Sequence, residues 1–294
     1  MSNGTWLILG PGALGRLLAV QLAGHVPLAV IGRQASEQPF MQSTPEGESR
    51  IRYVPRLSLE QVPQRPLMVH ITTKTHAVDE ALDRLAQRID DDTPIVLWQN
   101  GFQVQEPVTR RWPGPVLCAT TSEGAYTEGM DSVVHAGHGQ TYIGHLDGRY
   151  PALAECIAVT LTVAGLHAEP CSDIRRRLWH KLAVNAAINP LVARYRIRNG
   201  QLRDPPYRAM VEAIIDDLAT LMDAEGIDAP DAGWSHHVWS VIGATANNRA
   251  SMLQDVIAGR PTERDAILGP LLDAAQRHGM PTPTLTELYR NTPG

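Results

Sequence analysis

Gly10-Pro11-Gly12-Ala13-Leu14-Gly15 fits the pattern GxGxxG and stands between a short apolar run, Trp6 to Leu9, and a stretch with helical spacing. Each glycine answers a separate need. The first permits a tight turn, the second lets backbone approach a pyrophosphate, and the third lets the following helix pack closely on the strand. A pyrophosphate seated there meets backbone N–H groups at a helix N-terminus, where the dipole favours negative charge. The string also serves as a plain structural turn, but its place between strand and helix favours a dinucleotide site. A second apolar run ends at Ile31-Gly32-Arg33, where an NAD-selective site would carry an acidic residue for the ribose 2′-hydroxyl. A guanidinium there instead suits the 2′-phosphate of NADP, the alternative being a solvated loop arginine.

A second set of polar residues lies far along the chain. In LWHKLAVNAAINPLVARY, residues 178 to 195, Lys181, Asn185 and Asn189 recur every four positions among apolar neighbours. At that spacing they form a slowly rotating stripe on one helix face. The stripe either faces solvent or another helix, or it lines a cleft. Burying an ammonium and two amides without partners is costly, and so little polar surface accompanies them that the cleft is the preferred reading. The stretch Asn247-Asn248-Arg249-Ala250-Ser251-Met252-Leu253-Gln254-Asp255 and the following Gly259-Arg260-Pro261-Thr262-Glu263 carry further amides, hydroxyls and carboxylates. Ser251 with Gln254 matches a helix capping box, and Thr262 with Asp265 resembles a second N-cap.

The elements that must position these groups fall into two halves. Up to about residue 145, near-continuous apolar runs alternate with helical stretches: WLIL at 6 to 9, PLAVI at 27 to 31, LMVHIT at 67 to 72, IVLW at 95 to 98 and PVLCAT at 115 to 120. Such runs suit parallel strands buried on both faces, so an α/β, Rossmann-type doubly wound sheet is expected. DSVVHAG and QTYIGH flank a Gly-rich turn and read as an antiparallel hairpin extending that sheet. A helix near 152 to 164 and a strand near 166 to 170 complete a domain of residues 1–170. Long periodic segments at 173–194, 206–225, 232–246, 251–258 and 263–279 make 171–294 an all-α domain. Ligands of open α/β sheets lie beyond the carboxyl ends of the strands, which brings in Thr72-Thr73-Lys74 and Gln99-Asn100-Gly101. Lys74 is a candidate for cofactor or substrate contact and Asn100 for the nicotinamide ribose or the reacting carbonyl.

Composition narrows the field further. A formal net charge of −5 gives no general attraction for nucleic acid. Cys118, Cys156 and Cys171 form no CxxC pair, which fits a reducing compartment such as the cytoplasm. The start MSNGTWLILGPGALG has no basic leader and reads as a strand, and no apolar run is long enough for a membrane span. Eleven histidines invite a metal. His135 with His138, or His236 with His237, are the places to look, but no carboxylate or cysteine cluster accompanies them at ligand spacing, so no metal is expected.

Taken together, ILGPGALG, TTK at 72–74, QNG at 99–101, WHKLAVNAAINPL at 179–191, ATANNRASMLQD at 244–255 and GRPTE at 259–263 resemble the ketopantoate reductase family, in family order and over essentially the whole chain. The resemblance implies an NADPH-dependent reduction of 2-dehydropantoate to pantoate, on the way to pantothenate and coenzyme A. It implies Lys181 as catalytic lysine with Glu263 as carboxylate partner. Substrate contacts would come from Asn100, Asn185, Asn189, Asn248 and Ser251. The cofactor would lie against Gly10, Pro11, Gly12, Ala13, Leu14, Gly15, Arg33 and Lys74, with Asn100 and Glu263 touching it as well. The partner is then a small 2-keto acid, with no nucleic acid and no membrane, and a homodimer is compatible. Two positions depart from the family pattern: Ala250 stands where a serine is often found, and Arg264 where an apolar residue is common. The 3-hydroxyacid dehydrogenases also join such a sheet to helices, and a dinucleotide-binding sensor without turnover is the non-enzymatic alternative.

Overall fold

The computed structural model describes residues 4–294; the first three residues of the MSNG start lie outside the described residues. Two compact units emerge, one running to Gln99 and resuming over Val104–Arg175, the other combining Asn100–Gln103 with Arg176–Gly294.

In chain order the first unit contains β1 (Trp6–Leu9), α1 (Ala13–Leu22), β2 (Leu28–Ile31), β3 (Phe40–Ser43), β4 (Ser49–Arg52), β5 (Arg56–Leu57), β6 (Met68–Ile71) and α2 (Val78–Ala86). It continues with β7 (Ile95–Leu97), α3 (Gln105–Arg111), β8 (Val116–Thr121), β9 (Gly124–Glu128), β10 (Ser132–Gly137), β11 (Thr141–Gly144), α4 (Pro151–Val163) and β12 (Ala168–Pro170). The main sheet has the order β12-β11-β8-β7-β6-β1-β2-β5. From β5 to β8 neighbouring strands are parallel, while β11 runs antiparallel to β8. Every residue of β1, β2, β6 and β7 is buried, as the unbroken apolar runs require of strands covered on both faces. On one face Trp6, Ile8, Val30, Met68 and Val96 pack with Leu17, Leu18 and Leu22 of α1 and Ile157 and Leu161 of α4.

A second, four-stranded sheet, β4-β3-β10-β9, was not foreseen from the sequence. Its strands are short and largely polar, FMQS and SRIR among them, and it joins two local hairpins, β3–β4 and β9–β10, through the distant pairing of β3 with β10. This sheet also corrects the expected hairpin. DSVVHAG forms β10, which pairs with β9 and β3, whereas QTYIGH contributes β11, which pairs with β8 in the main sheet. The Gly-rich link therefore passes between two sheets. Through that folding Glu123 meets His135, with Oε2 2.6 Å from Nε2, which corrects the reading that no carboxylate accompanies these histidines.

The helix α5 (Ile174–Tyr195) leads into the second unit, which adds α6 (Tyr207–Ala224), α7 (Gly233–Ala244), α8 (Ser251–Ile257), α9 (Arg264–Arg277) and α10 (Pro283–Asn291). Leu182, Ala183, Ala186, Ala187 and Val192 are fully buried, which makes α5 the central helix of its unit. The short α10 was missed in the sequence, where Pro281 and Pro283 mask its start. Its N-terminus is held by Asp217 of α6, whose Oδ2 accepts the Leu285 N–H at 3.0 Å. Among the described residues no helix is long and apolar enough to cross a membrane.

Candidate active site

The glycine turn in the first unit has the geometry its sequence implies. Gly10 adopts φ +109°, and a Cβ there would lie 2.8 Å from the backbone nitrogen of Thr73. A Cβ on Gly15 would lie 2.1 Å from the Gly10 carbonyl oxygen, so the helix start is pressed against the turn. Gly12 is different. It is the exposed N-cap of α1, has no side-chain cap, and nothing lies within 4 Å of where its Cβ would stand. The result is an open, uncapped helix N-terminus, the arrangement that receives an anion. Arg16 fixes the turn from below, donating from Nε to the Pro11 carbonyl at 2.8 Å and from Nη1 to the carbonyls of Gly129 and Ser132.

The neighbouring loops follow from the strand order, because β2 and β6 flank β1 on opposite sides and the order in which parallel strands are added reverses there. Arg33, just past β2, is exposed and makes no hydrogen bond or ion pair among the described residues. Its guanidinium is thus available to a phosphate. Lys74, past β6, is half-buried at the start of a short 3₁₀ turn. Thr72 closes the loop onto the glycine turn, donating to the Gly10 carbonyl at 2.7 Å. Gln99 holds the same loop from β7, its Nε2 donating to the carbonyls of Ile71 at 2.8 Å and Thr73 at 3.0 Å. The residues present therefore fit a phosphorylated dinucleotide.

The second unit gathers a different chemistry. Lys181, Asn185 and Asn189 occupy one face of α5, the first two half-buried and Asn189 buried, amid fully buried alanines and leucines. Neither asparagine side chain has a hydrogen-bond partner among the described residues. Glu263 is buried at the N-terminus of α9, where the helix dipole favours its charge. Burial pushes Lys181 down from 10.5 to about 8, and the negative charge of Glu263 opposes that fall. Asn100 completes the cluster by donating from Nδ2 to Glu263 Oε2 at 3.1 Å.

Gly101 explains how Asn100 reaches that carboxylate. It adopts φ +84°, and a Cβ there would lie 2.0 Å from the Ala266 carbonyl oxygen, so only glycine lets this segment rest on the first turn of α9. Phe102 N–H donates to the same carbonyl at 3.3 Å, and its ring packs on Trp179 of α5 at 5.2 Å between centroids. Lys181, Glu263 and Asn100 are thereby brought together.

The structure does not join Asn248 and Ser251 to that cluster by any described contact. Both are exposed, Asn248 in the turn before α8 and Ser251 at its first residue. The expected capping box is corrected: Ala250 is the N-cap, no side chain caps it, and Gln254 Nε2 turns to the Arg249 carbonyl at 3.3 Å. At α9 the cap residue is Glu263, and Thr262 just ahead of it still accepts the Arg264 N–H at 3.2 Å. Asn199 went unnoticed in the sequence, where Asn-Gly signals only a turn. It is buried, its Nδ2 donates to Thr245 Oγ1 at 2.9 Å, its N–H donates to the Asn248 carbonyl at 3.1 Å, and its Oδ1 has no partner among the described residues. It thus anchors the loop that carries Asn248.

A mainly parallel sheet with an open phosphate-binding turn, together with a half-buried lysine and a buried carboxylate on a helical unit, defines a dinucleotide-dependent oxidoreductase. The chain belongs to the ketopantoate reductase family: residues 6–148 match "Ketopantoate reductase PanE/ApbA" and residues 173–292 match its "C terminal" counterpart. It is 35% identical over 287 residues to the 2-dehydropantoate 2-reductase of Vibrio cholerae, covering 97% of this chain and 95% of that one. The crystal structure of a probable 2-dehydropantoate 2-reductase from Bacillus subtilis is 26% identical, with TM-score 0.80, over 97% of this chain and 98% of that chain. A dimeric ketopantoate reductase from Staphylococcus aureus shares the fold at 24% identity and TM-score 0.82, over 97% and 96% of the two chains.

Proposed function

We propose that this chain reduces 2-dehydropantoate to pantoate with NADPH, supplying the pathway to pantothenate and coenzyme A. The observation that carries the reading is the Lys181–Glu263–Asn100 cluster in a member of this family. Residues 1–170 are the NADP-binding part of the proposal and 171–294 the substrate-binding part. The expected cytoplasmic location is supported by three free cysteines, Cys118, Cys156 and Cys171. A homodimer also belongs to the proposal, and sedimentation velocity tests it.

When bound, NADPH supplies a hydride to the C2 carbonyl carbon. Gly10 to Gly15 would hold the pyrophosphate, Arg33 the 2′-phosphate, and Lys74, Asn100 and Glu263 further parts of the cofactor. Lys181, as ammonium, donates a hydrogen bond to the carbonyl oxygen and passes its proton to that oxygen as negative charge develops there, leaving a hydroxyl. Its neutral amine regains a proton from solvent. Glu263 keeps the ammonium charged and oriented, and Asn100 keeps Glu263 in place. The unpartnered amides of Asn185 and Asn189 receive the polar groups of the substrate, with Asn248 and Ser251 as further contacts.

The test is steady-state NADPH consumption with 2-dehydropantoate, run beside NADH and other 2-keto acids, together with NADP+ reduction in the presence of a 3-hydroxy acid. Selective turnover of 2-dehydropantoate with NADPH is expected. Oxidation of the 3-hydroxy acid without action on 2-dehydropantoate moves the chain to the hydroxyacid dehydrogenases, and binding without turnover makes it a sensor.

A further inference from the structure

We propose that Glu123, His135 and His138 form a binding site for a divalent cation of borderline softness, with Zn²⁺ the ion that suits the donors best. The site lies wholly in the first unit and plays no part in the reductase chemistry.

Three local features bring the donors together. The first is a bulge. β10 pairs regularly with β9 as far as His135 opposite Ala125, and the register then shifts between His135 and Gly137. Along a regular strand, residues three apart point to opposite faces; an extra residue re-aims the side chains beyond it. The rings of His135 and His138 accordingly meet edge to face, 4.8 Å between centroids. The second feature is Gly139, where a Cβ would lie 2.3 Å from the Glu123 nitrogen, so the loop after His138 is seated directly on the backbone that carries the carboxylate. Ser122 and Gln140 lock that seat, through Ser122 N–H to the Gln140 carbonyl at 3.0 Å and Gln140 N–H to Ser122 Oγ at 2.8 Å. The third is the buried pair itself: Glu123 Oε2 lies 2.6 Å from His135 Nε2, with side chains 2% and 1% exposed.

One ligand atom from each of the three residues lies within 4.8 Å of the others. A tetrahedral ion with bonds of about 2.0 to 2.2 Å sets its ligands roughly 3.4 Å apart, so the ion would replace the direct Glu123–His135 contact, opening it from 2.6 Å, while His138 turns inward to close the site. That turn is available, because the His138 side chain is half exposed, which also opens a path for the ion. Two imidazoles and a carboxylate with a fourth position left to water are a recurrent zinc donor set. Glu46 adds support, its Oε1 lying 2.7 Å from His138 Nε2, the carboxylate contact that commonly orients a ligating imidazole.

The test uses full-length protein freed of any histidine tag and stripped with a chelator. Titration with ZnCl₂ by calorimetry, and with Co²⁺ by visible absorption, is expected to show one saturable site per chain with the spectrum of a low-coordinate cobalt. His138→Ala, at a half-exposed position, is expected to fold and keep the reductase rate while binding Zn²⁺ at least tenfold more weakly; the outer contact makes Glu46→Gln weaken it by about ten- to a hundredfold or less. Glu123→Gln gives a second, independent loss. Absence of saturable binding overturns the proposal. So does zinc binding that survives both His138→Ala and Glu123→Gln, because the ion then sits elsewhere.

Discussion

Replacing Glu263 with glutamine keeps the shape of the side chain and removes its charge, which makes Lys181 report on the electrostatics of the site. The wild-type lysine is lowered from 10.5 to about 8 although Glu263 holds it up. That lowering corresponds to about 3 kcal/mol against the buried ammonium. An adjacent opposite charge sustains about 1 to 3 pKa units, so its loss places Lys181 near 7 or below. At pH 7.5 the ammonium share would fall from about 76% to about 24% for a shift of about one unit. Because the reaction needs the ammonium, the alkaline limb of kcat/KM for 2-dehydropantoate at saturating NADPH moves from near 8 to near 7. The same change has a stability signature with a fixed sign. Lys181 is charged in both states below its folded value, so the penalty is fully present there and is relieved as pH rises from about 8 towards 10.5. Glu263→Gln therefore loses about 1.4 kcal/mol more at pH 6, a pH-dependent loss that vanishes above about pH 9. An alkaline limb that stays in place or moves upward would refute this reasoning.

Three further perturbations address the other parts of the site. Lys181→Ala is expected to lower kcat by about 10² to 10⁴ while NADPH affinity, measured by fluorescence titration, stays largely unchanged. Arg33→Ala is expected to cut the ratio of kcat/KM for NADPH over NADH by about ten- to a hundredfold, since it removes a charge-assisted contact worth about 1.5 to 3 kcal/mol; an unchanged ratio would mean Arg33 does not read the 2′-phosphate. Gly101→Ala forces a Cβ to within 2.0 Å of the Ala266 carbonyl oxygen at φ +84°. It is expected to cost at least about 1 to 3 kcal/mol by thermal melting and to lower kcat by drawing Asn100 away from Glu263.

How much of the fold is legible in the sequence depends on the range of the forces involved. The runs WLIL, PLAVI, LMVHIT, IVLW and PVLCAT fall on β1, β2, β6, β7 and β8 to within about a residue or two because strands buried on both faces are apolar throughout. The helical segments of the second half are equally plain, since burial of one face imposes its period on the residues. The four-stranded sheet is not legible, because FMQS and SRIR carry little apolar signal and the hairpin they form joins the sheet only through the distant pairing of β3 with β10. The same reason hid the path of the chain after Gly137. At the site, Lys181 and its asparagines stand out through spacing, whereas the bond from Asn100 to Glu263 spans 163 positions and depends on a glycine pressed against α9. Likewise, His138 joins Glu123 and His135 through a bulge and a close glycine contact that no linear spacing displays.

The central claim is tested most directly by mixing purified protein with NADPH and 2-dehydropantoate and measuring, in one sample, the loss of nicotinamide absorbance and the pantoate formed. The account predicts one pantoate for each NADPH oxidised, with both signals lowered together in Lys181→Ala. NADPH binding with no pantoate formed, or full pantoate formation in Lys181→Ala, would contradict it.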